Sequence, residues 1–205
     1  MLFLAAVLSS FAMAQSQPLP EEYPLWPQVI ELTSRLSKAD AENAPTIERE
    51  LLSLGPSAIG PLLGVCSREL PQCPSAERVL WRFGEALVDE AINLSRNSGS
   101  TFEVGCSSSA RIGAAILEKV RSLILGDETY EQHRRKFGVC VLRKMGAEGV
   151  PTLIELARSE NPRVRAVALS TLTTTVDPRA GPLFLEALRS PNEGVRRFGA
   201  SGLVR

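Results

Sequence analysis

Histidine occurs once, at position 133, and aromatic residues make up only 5% of the 205-residue chain: seven Phe, two Trp and two Tyr. A lone imidazole rules out a His-based metal cage and leaves no partner for a proton relay. Scarce large rings mean that any core must be built from Leu, Val, Ile and Ala, which favours packed helices. Excess charge of either sign is missing too. Lys and Arg together number 23, as do Asp and Glu, so the long-range field of a nucleic-acid binder or polybasic membrane protein is absent. The chain contains no G-x-x-x-x-G-K-[ST], no G-x-S-x-G and no H-E-x-x-H, the patterns that cradle phosphate, expose a nucleophilic serine or hold catalytic zinc. The expectation is a non-enzymatic chain with no cofactor or metal. What remains, 44% hydrophobic and 22% charged, is the composition of a folded domain.

The first fourteen residues, MLFLAAVLSSFAMA, carry no charge, an apolar run from Leu2 to Leu8, and small residues ending Ala12, Met13, Ala14. This A-x-A ending predicts a signal peptide over 1–14, cleavage after Ala14, and a secreted or periplasmic mature chain starting at Gln15. The missing Lys or Arg near Met1 departs from the usual export pattern. A bilayer-crossing helix needs about 20 apolar residues, and the polar, Pro-containing stretch from Gln15 to Pro20 stops this one short, so no membrane span is expected. Export makes pairing the first expectation for Cys66, Cys73, Cys106 and Cys140. Three connectivities are open. The local one joins Cys66 to Cys73 across Leu70 to Gln72, worth roughly 2 to 3 kcal/mol in the chain-entropy model, and Cys106 to Cys140, worth roughly 4. Cys140, between Val139 and Val141, also reads as a small buried hydrophobe.

Sliding the sequence by 31 residues lays 150–172 on 181–203 without a gap and gives nine identities in 23 positions. About one or two are expected by chance at roughly 6% per position. The identities include Pro151/Pro182, Glu155/Glu186, Ser159/Ser190, Asn161/Asn192 and Arg165/Arg196. Each copy reads as two short helices. Pro151 and Pro182 fall in a first turn, where a missing N–H costs nothing. Asn161-Pro162 and Ser190-Pro191 each present a polar N-cap before the second helix, and Ser190 to Glu193 has capping-box spacing. Neither hairpin can bury its apolar faces alone, so copies must stack.

Upstream the period blurs while the hairpins continue. Trp26 to Leu36 pairs with Ile47 to Leu54, and Gly55 to Cys66 pairs with a helix from Ala76 to Leu87. Asn97 to Ser109 reads as the longest loop, with Ser109 as an N-cap. Ala110 to Leu125 reads as one helix stopped by Gly126, and Asp127 caps the next, which carries Tyr130, Phe137, Val141 and Met145. The prediction is an all-α, α-α superhelix of about ten helices in five pairs, occupying 15–205.

The two last copies, VPTLIELARSENPRVRAVALSTL and GPLFLEALRSPNEGVRRFGASGL, resemble HEAT repeats of the short bacterial type also found in phycocyanobilin lyases. They share the Pro-opened apolar first helix, the Asn or Pro loop, and Val-Arg at the start of the second helix. The resemblance is clearest over 145–175 and 176–205. It implies an armadillo-like helical solenoid and a protein-binding or scaffolding role, here in the bacterial cell envelope. Two other readings follow from relatives of that fold: a bilin lyase-like or other enzyme-accessory protein, and, more weakly, a DNA-binding protein.

Among individual residues, Arg165 and Arg196 recur once per repeat and form a ladder, with Glu155 and Glu186 as a matching acidic ladder. The structural expectation is that each Arg bonds a carboxylate or a helix-end carbonyl of a neighbouring unit; the functional one is a charged groove for another protein. The basic run His133-Arg134-Arg135-Lys136 is splayed by about 100° per residue on a helix and makes no single patch. Trp26 and Trp81 read as core residues. The last repeat ends in Phe198, Leu203 and Val204 without a polar cap, which predicts self-association through that end.

Overall fold

The computed structural model describes residues 23–97, 99–126 and 132–204. The predicted signal peptide lies outside these residues, as do Asp127 and Tyr130. Among the described residues there are twelve α-helices and no strand. No single helix is long and apolar enough to cross a membrane. The chain divides between Gly105 and Cys106 into two compact units.

In the first unit, α1 (Trp26–Lys38) packs on α2 (Ala44–Ser53), and α3 (Ile59–Ser67) on α4 (Cys73–Leu80). Both predicted pairs are present. The expected helix from Ala76 to Leu87 is, however, interrupted by a 3-10 turn at Trp81–Phe83 and by Gly84, whose φ of +58° is open to glycine but strained for any other residue. The chain restarts as α5 (Glu85–Leu94), which packs against α3. Trp26 lies against Gly64 and under the guanidinium of Arg68, 5.0 Å from the ring centroid. Trp81, expected in the core, is 42% exposed because the turn carries it out of the helical stripe.

The unit division falls within α6 (Gly99–Ala110). This is the stretch expected as the longest loop. Serine and glycine have low intrinsic helix preference, but Thr101, Cys106, Ser108 and Ser109 are all buried, so small side chains fit a crowded position and packing overrides propensity. Ser109 is therefore inside a helix and not its N-cap.

The second unit contains three hairpins: α7 (Leu117–Leu125) with α8 (Gln132–Lys144), α9 (Val150–Leu156) with α10 (Pro162–Thr175), and α11 (Gly181–Ala187) with α12 (Glu193–Leu203). The expected single helix from Ala110 is broken before α7 by a 3-10 segment, Gly113–Ile116. The second helices form a row, α8 beside α10 and α10 beside α12. That arrangement buries Phe137, Val141 and Leu142 on α8, and Val164, Ala168, Leu169 and Leu172 on α10. Full burial of a Leu or Phe contributes about 1.5–3 kcal/mol each, and the hairpins supply these burial sites to one another.

Candidate functional site

The two last corners are built alike. Ser159 Oγ accepts from the Asn161 N–H at 3.2 Å, and Ser190 Oγ accepts from the Asn192 N–H at 3.2 Å. Asn161 Oδ1 then accepts from Val164 N–H at 3.4 Å and Asn192 Oδ1 from Val195 N–H at 3.2 Å, each satisfying an otherwise orphaned donor of the helix that follows. The N-cap of α12 is thus Asn192. Ser190, expected there by capping-box spacing, sits two residues earlier, and Glu193 opens the helix. The aligned asparagines already carried this information.

Arg165 Nη1 donates to the Ser159 carbonyl at 2.9 Å, and Arg196 Nη1 donates to the Ser190 carbonyl at 2.9 Å. Each Arg closes the corner of its own repeat, whereas the ladder reading expected a bond to a neighbouring unit. Glu155 pairs with Arg121 of α7 at 2.6 Å. One residue of the basic run is also structural: Arg135 donates to the carbonyls of Ile124 at 3.0 Å and Gly126 at 2.5 Å, capping the end of α7. Its neighbour His133 is half-buried on α8.

Arg165 and Glu186, one member of each predicted ladder, come together. They line a groove of about 450 Å³ with Arg189, over a floor that includes Ala157, Leu169, Leu183 and Ala187. Arg165 is partly buried there and keeps further N–H donors besides the one held by Ser159. Arg196 and Glu155 are not among the residues that line it. Glu186 and Arg189 are exposed at its rim. An apolar floor with a charged rim is the arrangement by which protein surfaces exclude water at the centre of a contact and set register at its edge.

A separate hollow of about 310 Å³ is lined by Leu172, Val176, Asp177, Phe184 and Leu203 among others. Val176 holds a left-handed conformation, φ +48° and ψ +55°, although it is β-branched and 62% exposed. Next to it Asp177 accepts from Arg179 N–H at 2.9 Å and pairs with its guanidinium at 2.7 Å, which holds the carboxyl at about 2. The same guanidinium donates to the Ala147 carbonyl at 2.7 Å, fastening this loop to the corner before α9.

No disulfide joins any two of Cys66, Cys73, Cys106 and Cys140. Cys66 Sγ lies 3.4 Å from the Cys73 carbonyl oxygen, and Cys106 Sγ lies 4.0 Å from that of Phe137. Cys106 and Cys140 are both buried.

With three hairpins in a row and a repeated Ser-x-Asn corner closed by Arg, residues 122–203 match the family model of HEAT repeats. The match begins within α7 and runs to the end of α12, upstream of the part where the period is clearest to the eye. No curated protein matches the chain. HEAT repeats commonly act as protein-interaction scaffolds, using the surfaces that stacking creates.

Proposed function

We propose that this chain is an exported protein-binding scaffold of the bacterial cell envelope, and that it grips a segment of its partner in the groove bordered by Arg165, Glu186 and Arg189. The groove carries the reading: it is formed by two consecutive HEAT repeats, is apolar below and charged above, and holds Arg165 where the corner bond fixes it. Two of its three charged residues are Arg, so the complementary segment has an apolar side chain beside a carboxylate. Export is supported by the A-x-A pattern at residues 12–14. The exposed Leu185, Leu188, Leu203 and Val204 support a second contact, with another copy of the chain.

A photo-crosslinking residue placed at position 186, expressed in native cells, tests the first contact. One discrete protein adduct from position 186 and none from the exposed position 170 is the expected result; equal labelling at both, or none at either, would reject the groove. Mass spectrometry of the envelope fraction should find an amino terminus at Gln15 or within a few residues, and an intact Met1 in the cytoplasm would remove the export reading. Sedimentation across a concentration series reads self-association. A monomer at all concentrations excludes it.

A further inference from the structure

Cys66 stands in the last turn of α3, and Cys73 is the first residue of α4. The corner between them turns through Glu69, whose φ is +54°; Leu70 N–H donates to the Val65 carbonyl at 3.1 Å and Glu69 N–H to the Cys66 carbonyl at 3.0 Å. This left-handed helix ending reverses the chain within a few residues and brings the second cysteine back onto the first. Cys66 Sγ, Cys73 Sγ and a carboxylate oxygen of Glu77 all lie within 4.8 Å of one another. A disulfide bond is about 2.0 Å long, so the sulfurs need to close by less than about 3 Å.

The two thiols are not equivalent. Cys66 is 4% exposed, whereas Cys73 is partly open to solvent. Burial pushes both thiols up, Cys66 the more strongly; the hydrogen bond from Cys66 works in the opposite direction on Cys73, and the charge of Glu77 raises both. A disulfide-bearing reagent can reach Cys73 and meets helix packing before it reaches Cys66.

We propose that Cys73 and Cys66 form an asymmetric thiol–disulfide exchange pair, with Cys73 the entering nucleophile and Cys66 the resolving thiol. This goes beyond the pairing expected from spacing, since it assigns an order and a role to each sulfur. Cys73 loses its proton to solvent and attacks one sulfur of a small disulfide R–S–S–R. The Cys73–S–S–R bond forms and one RS⁻ leaves. Cys66, deprotonated in turn, attacks the Cys73 sulfur; the Cys66–Cys73 bond forms and the second RS⁻ leaves. Two protein thiols are oxidised, and R–S–S–R is reduced to two RSH. Burial chiefly, with the Glu77 carboxylate adding to it, raises the pH at which this begins, because both disfavour the thiolates.

The test exposes the reduced, folded full chain to oxidised glutathione and maps adducts by mass spectrometry. Wild type should lose two hydrogens and carry a Cys66–Cys73 bridge, with Cys106 and Cys140 unmodified. Cys66→Ser should accumulate a mixed disulfide on Cys73, and Cys73→Ser should react at Cys66 at least about tenfold more slowly, as a buried thiol does. Glu77→Gln should move the pH–rate profile of Cys73 to lower pH with helix content unchanged, a change that a purely structural role for Glu77 does not produce. Equal reactivity of the two single-cysteine variants, or glutathione retained on both sulfurs of wild type without a bridge, would overturn the proposal. So would Zn²⁺ that protects both thiols stoichiometrically, because it would assign the trio to a cation.

Discussion

The last two repeats share nine identities and the same corner, yet their second helices live in different surroundings. α10 buries Val164, Ala168, Leu169, Thr171 and Leu172 between two neighbours, whereas α12 has a neighbour on one side and buries Gly199 alone. Sequence identity therefore reports the chemistry of the corner, and burial reports the company that the helix keeps. The difference can be broken at matched positions. Leu172, 1% exposed, aligns with Leu203, 42% exposed. Leu172→Ala should cost about 2–5 kcal/mol and Leu203→Ala less than about 1, read by chemical denaturation. Equal costs would mean that α12 is covered in solution.

A second matched pair is Ala168 and Gly199. A Cβ on Gly199 would lie 2.7 Å from the Phe184 carbonyl oxygen and 2.9 Å from the Leu188 amide nitrogen. Those are backbone atoms that cannot rotate away. Gly199→Ala should destabilise by about 1–3 kcal/mol through overpacking, despite the better helix propensity of Ala, while Ala168→Gly should cost about 1 through propensity. Stabilisation by Gly199→Ala would show that α11 and α12 separate in solution far enough to admit a methyl group.

The corners should behave alike. Asn161→Ala and Asn192→Ala should each cost about 1 kcal/mol, the value of one N-cap, with a ratio near unity as the informative quantity. Smaller and pH-dependent is the contribution of Asp177. Its carboxyl is held at about 2 by the Arg179 side chain and backbone N–H, below the ordinary value of 3.8. A lowered folded pKa adds stability that is complete above about 4 and is lost as pH falls towards 2. Asp177→Asn should flatten the stability profile over that window and leave the profile above pH 5 parallel to wild type, as followed by thermal melts.

Legibility followed the same division. The Pro-opened helices, the Asn161 cap, the stop at Gly126 and the stacking of hairpins could all be read because they depend on residues within a few positions. The α12 cap was misplaced by two residues because Ser190-Pro191 imitates a helix start; the aligned Asn192 makes the bond. α6 was invisible because serine and glycine argue locally for a loop, and the burial of Ser108 and Ser109 that decides otherwise is set by distant parts of the chain. Among the described residues ten expected helices became twelve because Gly84 breaks one run, after which α5 starts anew, and because α6 replaces the expected loop; the 3-10 segment at Gly113–Ile116 shortens α7 without adding a helix. Of the candidate site, the Arg and Glu positions were legible as repeating residues. That Arg165 and Glu186 share a groove while Glu155 turns to Arg121 was not, since periodicity says nothing about which side of a stack a long side chain faces.

The bond from each Arg to the Ser carbonyl six residues before it lies wholly inside one 31-residue period. A segment copied in tandem would therefore inherit a working corner at once, with no compensating change elsewhere. The face against the next hairpin is not inherited in this way, because its fit depends on whichever copy follows. Duplication extends such an array cheaply in the loops, and later divergence is pushed into the helix faces, where Ala168 and Gly199 now differ.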